Sequence, residues 1–282
     1  AQRTFYIYDN VGRVRYTIQS LSTGEAVTET IYDANGRVTE SRQYDKAIAA
    51  NTTRTLAATA TALTTAGAVA ISTTYVYDNA GRLTSTTDAL NKTESYTYDA
   101  LGNRKTLKNK NNAVWTYNYD ALGRLTEEIT PQIAVSGINS VGIVTTSNRY
   151  LVTTIGYDAL GNVTSRVEGR QRTAVANAAS SDDLSQARTT TYGYDKVGRQ
   201  TLITSPGWYN KSTGAFQQAS DGTANTFQVT TEVTYDALGN ATRNRVRVSN
   251  TGTTTEQFVD SYKTYDAVGR VVHEIDALNG VT

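Results

Sequence analysis

One histidine, no cysteine and a scatter of carboxylates are the side chains of this 282-residue sequence most capable of chemistry. His273 lies in Val271-Val272-His273-Glu274-Ile275, whose alternation reads as a strand. A histidine base needs a positioned nucleophile and an orienting acid, and the sequence singles out neither; a Gly-x-Ser-x-Gly elbow is also missing. Without cysteine there are no disulfides and no thiolate metal sites, so any metal would need an all-oxygen set. The acidic pairs Asp182-Asp183 and Glu127-Glu128 lack the Asp-x-Asp-x-Asp-Gly spacing of a calcium loop and read as solvated charges of a loop and a strand face. No catalytic, cofactor-binding or metal site is therefore expected, and the chain is expected to be non-enzymatic.

The remaining aspartates fall into a pattern. Tyr-Asp-x-x-Gly followed by Arg or Asn occurs nine times. The copies are Tyr8-Asp9 with Gly12-Arg13, Tyr32-Asp33 with Gly36-Arg37, Tyr77-Asp78 with Gly81-Arg82, Tyr98-Asp99 with Gly102-Asn103, and Tyr119-Asp120 with Gly123-Arg124. They continue as Tyr157-Asp158 with Gly161-Asn162, Tyr194-Asp195 with Gly198-Arg199, Tyr235-Asp236 with Gly239-Asn240, and Tyr265-Asp266 with Gly269-Arg270. The shortest interval, 21 residues, occurs twice in succession from Tyr77 to Tyr119, the mark of a repeat protein carrying insertions.

Aromatic and small polar residues alternate up to each Asp, as in Glu94-Ser95-Tyr96-Thr97-Tyr98-Asp99, which predicts a strand. The Asp side chain can open a type I turn, and the Gly can close it with positive φ as a bulged hairpin. The Asp then stands opposite the Arg or Asn, either of which can hydrogen-bond a carboxylate. One step out, Tyr faces an aliphatic residue, as in Tyr8 with Val14 and Tyr77 with Leu83, while Arg104, Gln200 and Ala241 mark weaker copies. These recurring residues are explained more economically by nine turns than by nine active sites.

The run Tyr119-Asp120-Ala121-Leu122-Gly123-Arg124-Leu125-Thr126, with the shorter Asp88-Ala89-Leu90-Asn91 signal between full copies, closely resembles the RHS/YD-repeat family. That family includes bacterial polymorphic toxins, the C components of insecticidal toxin complexes and the animal teneurins. The resemblance implies a long β-strip spiralling into a hollow shell, which in the toxins encloses a cytotoxic C-terminal segment. The core that usually follows the repeats, with its Asp-Pro-x-Gly-Leu signature and self-cleaving carboxylates, has no match, so its catalysis is not carried over.

Composition agrees with an all-β array of antiparallel hairpins: nineteen Tyr, abundant Thr and two Pro. A net charge of +1 and no evident basic cluster argue against nucleic acid and anionic membranes as partners. No apolar run reaches the roughly eighteen residues of a membrane span, and no signal peptide opens the chain. With no evident capping units, residues 1–282 read as a single repeat array within a longer polypeptide. Two strands per repeat at about 4.8 Å give a strip roughly 90 Å long, and closing it into one ring gives a diameter of roughly 30 Å. A 100-residue passenger, with a radius of gyration of about 13 Å, would not fit, so the segment is wall rather than container.

Four insertions interrupt the array. Residues 46–74, rich in Ala and Thr, read as a long loop or irregular hairpin, with a short helix as the alternative. Residues 131–149 read as an extra hairpin, and within 168–190 Ser181 could cap a short helix. In 205–228, Trp208, Tyr209 and Phe216 share one longer hairpin and could contact a glycan or neighbouring subunit, or instead cover a strand edge. The expected function is a structural shell segment, with an extracellular fibre or adhesin as the alternative, in a secreted or cell-surface bacterial protein. The expected partners are the rest of its own chain, further copies or a glycan.

Overall fold

The computed structural model describes residues 3–138, 143–174, 182–184, 187–210, 216–217, 226–248 and 257–276. They form two compact units, Ala1–Val114 and Trp115–Thr282. The first holds β1 (Thr4–Tyr8), β2 (Val14–Leu21), β3 (Gly24–Tyr32), β4 (Val38–Tyr44), α1 (Leu56–Thr65), β5 (Ala70–Tyr77), β6 (Leu83–Thr87), β7 (Thr93–Tyr98) and β8 (Arg104–Lys108). Each strand pairs antiparallel with the next, including β4 with β5 across the first insertion.

The second unit holds β9 (Val114–Tyr119), β10 (Leu125–Ile138), β11 (Val144–Tyr157), β12 (Val163–Arg172), β13 (Arg188–Tyr194) and β14 (Gln200–Thr204), each paired antiparallel with the next. Strands β15 (Trp208–Asn210), β16 (Phe216–Gln217) and β17 (Thr226–Phe227) form a separate small sheet centred on β15. Strand β14 passes over them to pair with β18 (Thr230–Tyr235), followed by β19 (Ala241–Val248), β20 (Gln257–Tyr265) and β21 (Val271–Ile275). The expected extra hairpin is the outer part of β10 and β11, each 14 residues long. No described helix is long and apolar enough to cross a membrane.

In the first insertion the helix prevails over the loop. Alanine has the highest helix propensity, Thr55 caps the start by accepting a hydrogen bond from the Ala58 amide at 3.2 Å, and Gly67 ends the helix with φ of +57°. Burial supplies the rest: Leu63 packs onto Ile7, Tyr16, Ile18, Val27 and Ile48. The segment is pinned to β3 by paired backbone hydrogen bonds between Glu25 and Ile48, at 3.0 and 2.9 Å, and by Arg54 on the buried Glu25 at 2.7 Å. In the second unit the buried apolar residues Ile129 and Val152 face each other across β10 and β11. Among the described residues buried apolar side chains are few, so cross-strand hydrogen bonds and the hairpin corners organise most of what is described.

Candidate functional site

The repeated Tyr, Asp, Gly and Arg or Asn build one corner nine times. At Asp78 the backbone amide donates to the Arg82 carbonyl at 2.9 Å, and the Gly81 amide donates to the Asp78 carbonyl at 3.0 Å, with Gly81 at φ of +82°. Asp78 Oδ1 accepts from the amides of Ala80 and Arg82, while Oδ2 accepts from Arg82 Nε at 2.7 Å. The same bonds recur at the other five Arg corners. At the three Asn corners, Asn103, Asn162 and Asn240 donate Nδ2 to Oδ2 instead. The backbone amide of Arg82 and then its guanidinium stabilise the Asp78 carboxylate and hold its pKa below the ordinary value, although partial desolvation opposes them.

The corner also reaches the next repeat. Arg82 Nη1 donates to the Asp99 carbonyl at 3.3 Å, and its guanidinium lies over the Tyr98 ring at 4.7 Å. The Tyr98 hydroxyl runs back to the Leu83 carbonyl at 2.7 Å. Arg13, Arg37, Arg124 and Arg199 make the same double contact with Asp33 and Tyr32, Asp78 and Tyr77, Asp158 and Tyr157, and Asp236 and Tyr235. The tyrosine bond does not depend on the arginine, because Tyr194 and Tyr265 reach the Val163 and Ala241 carbonyls after Asn corners, both at 2.8 Å. Repeats are thus stitched by side chains as well as by the sheet ladder. Each guanidinium–ring contact is worth about 0.5–1 kcal/mol at an exposed site, and each net hydrogen bond about 0.5–1.5 kcal/mol.

Register follows the expected pairing, with Tyr8 opposite Val14, Tyr77 opposite Leu83 and Tyr265 opposite Val271. A feature the repeat pattern did not disclose lies one residue further. The next pair skips a residue, so Thr84 is bulged between Leu83 and Ser85, which face Tyr77 and Val76. A bulge bends a strand and increases its twist. Thr84 Oγ1 donates to the Val76 carbonyl at 3.1 Å, and Thr39, Thr126 and Thr242 do the same for Ile31, Asn118 and Thr234. Threonine three residues after the Gly, present at Thr39, Thr84, Thr126, Thr164, Thr201 and Thr242, is the signal that could have revealed it.

Elsewhere the expectations need amendment. Asp182 and Glu127 are not solvated charges: the Asp182 side chain is fully buried and holds Arg172, itself 2% exposed, at 2.6 Å, while Glu127 holds the same arginine at 2.6 Å. An arginine this buried requires partners on both sides, and the third insertion returns to β12 to supply one. Ser181 lies outside the described residues. Trp208 and Tyr209 on β15 and Phe216 on β16 share one hairpin, with Trp208 opposite Gln217 and Tyr209 opposite Phe216, and β17 extends it into a three-stranded sheet. His273 shares a hydrogen bond with Thr264 at 3.1 Å. No cluster of three or more metal-ligating side chains occurs among the described residues.

These features define a class, an array of antiparallel hairpins closed and linked by one recurring corner. The RHS Repeat family model matches residues 77–112 and 98–132, in overlapping registers that step by one repeat. Residues 77–132 therefore carry RHS repeats, which supports the RHS/YD-repeat family for this array. No curated protein matches the sequence. Among solved structures, 98% of the chain aligns at 14% identity with 18% of a chain in the Photorhabdus luminescens Tc holotoxin pore, with a TM-score of 0.21. TcdB2-TccC3 without its hypervariable C-terminal region gives 13% identity, the same coverages and a TM-score of 0.22. A porin-like protein from Bacteroides uniformis gives 12% identity over 92% of this chain and 93% of that one, with a TM-score of 0.23. The chain spans under a fifth of the length of the toxin chains, and superpositions this loose transfer neither curvature nor function.

Proposed function

We propose that the chain is a non-enzymatic wall segment of an RHS/YD-repeat shell, which holds a C-terminal effector of the same polypeptide apart from its surroundings in a secreted or surface-exposed bacterial protein. The observation that supports this reading is the stitched corner. Arg82 ties its own turn to the next repeat through Asp99 and Tyr98, an investment in sheet continuity that serves confinement and leaves no carboxylate free for chemistry at that corner. Nine repeats span too little sheet to enclose a passenger, so in this reading more chain completes the cavity. Cryo-electron microscopy of the intact polypeptide carrying this segment is expected to show a hollow closed particle with density inside. An open filament would instead support a surface fibre, in which Trp208, Tyr209 and Phe216 contact the next subunit. Reproducible hydrolytic turnover lost on His273→Ala would overturn the non-enzymatic reading.

A further inference from the structure

Three lysines meet at the turns opposite the corners. Lys108 and Lys110 lie at the end of β8 away from the corner, and the sheet brings Lys92 to the same place. Asp88 to Lys92 and Asn109 to Ala113 form two turns of one design, closed by Asn91 and Asn112 with φ of +58° and +64°. Lys110 of one turn donates to Asp88 of the other at 2.8 Å, which holds the two together. Between them lies a cleft of about 290 Å³ lined by Asn91, Lys92, Thr93, Ser95, Lys108 and Asn112 together with Lys110. Lys110 already has its carboxylate, whereas Lys92 and Lys108 form no ion pair among the described residues.

We infer that this cleft is a binding site for a small anionic sugar, a monosaccharide unit bearing a sulfate or phosphate ester. Lys92 and Lys108, neither of them in an ion pair among the described residues, meet the oxyanion, and charge-assisted bonds of this kind are the stronger ones. The amides of Asn91 and Asn112 and the hydroxyl of Ser95 donate to and accept from ring hydroxyls, a mixed capacity that a bare anion does not use. The volume is that of roughly ten waters, at the lower end of the ~300–1,000 Å³ of ligand pockets, so one ring with its ester group fits. No aromatic side chain lines the cleft, which disfavours nucleic acid because single strands bind by stacking on such rings. The Lys110–Asp88 pair spans the two turns before any ligand arrives, so little ordering is left for the ligand to impose.

The test is an NMR titration of the intact chain at low salt with galactose 6-sulfate, galactose 6-phosphate, neutral galactose and inorganic sulfate. Saturable shifts confined to residues 91–95 and 108–112 are expected for the two esters, with dissociation constants on the order of millimolar. Neutral galactose is expected to bind at least tenfold more weakly, and Lys92→Ala with Lys108→Ala to lower ester affinity at least tenfold without changing thermal stability. Ester binding that survives both substitutions overturns the site. Inorganic sulfate binding as tightly as the esters overturns the sugar assignment, as does tighter binding of a single-stranded oligonucleotide. If the double variant fails to fold, Lys108→Gln alone reads the same contact.

Discussion

Gly81 illustrates why each corner ends on the same residue. At φ of +82° a side chain strains the backbone, yet a Cβ there would meet nothing nearer than Arg37 Nη1 at 3.7 Å, so the cost of adding one is conformational rather than steric. Left-handed backbone costs an ordinary L-residue about 1–2 kcal/mol, and asparagine less because its short polar side chain bonds locally. The chain contains its own control, since Asn91 and Asn112 close turns of the same length and hydrogen-bond pattern with positive φ. Gly81→Ala is therefore expected to lower stability by about 1–2 kcal/mol and Gly81→Asn by clearly less, as read from urea midpoints. Equal losses for the two would mean that space rather than backbone conformation selects glycine.

The hairpin is the element most legible in the sequence, because its residues lie within a dozen positions of one another and each is required by a local rule. Tyr77, Asp78, Gly81 and Arg82 give the turn, and strand alternation gives Tyr77 opposite Leu83. The Thr84 bulge was hidden because threonine also reads as an ordinary strand residue. Helix α1 was ambiguous because Ala and Thr give little contrast between its faces, and only packing of Leu63 decides it. The buried Asp182–Arg172–Glu127 triad was illegible because its members lie 10 and 45 residues apart. The hairpin also carries a pH dependence. All nine corner aspartates have pKa values below the unfolded value, Asp78 chiefly through the Arg82 amide and Asp99 through the Asn103 side chain. Glu29 joins them: burial opposes its charge, but hydrogen bonds from Tyr44 and Tyr16 and the Arg15 and Arg42 charges outweigh it. A depressed folded value means that the unfolded chain takes up protons first as pH falls. The stability is present above the unfolded carboxylate pKa of about 4 and is lost as pH drops through the lower folded values. The urea midpoint is expected to hold from pH 7 to 5 and to fall steeply between pH 4 and 2.5; a midpoint unchanged at pH 2.5 would count against the corners as a source of stability.

At the scale of the whole molecule, the array predicts that damage stays local. In quasi-one-dimensional repeat proteins each unit contacts its neighbours, and stability is approximately a sum of unit and junction terms. Arg82→Asn tests this with a residue the chain already uses at Asn103, Asn162 and Asn240, where the bond to the turn aspartate persists. The substitution keeps the turn with a neutral bond to Asp78 in place of the charged one, and removes the reach to Asp99 and the cover over Tyr98. A loss of about 1–2 kcal/mol is expected, one hydrogen bond and one guanidinium–ring contact. Amide hydrogen exchange should accelerate in β5 to β8, which flank the altered junction. It should remain slow in β2 and β3, where Ile18 and Val27 belong to the buried cluster that Leu63 of α1 covers. The junction residues Arg82, Tyr98 and Asp99 are not members of that cluster, which supports the contrast. Acceleration of equal size in β2, β3 and β5 to β8 would show one cooperative body and remove the basis for treating each corner as a separable junction.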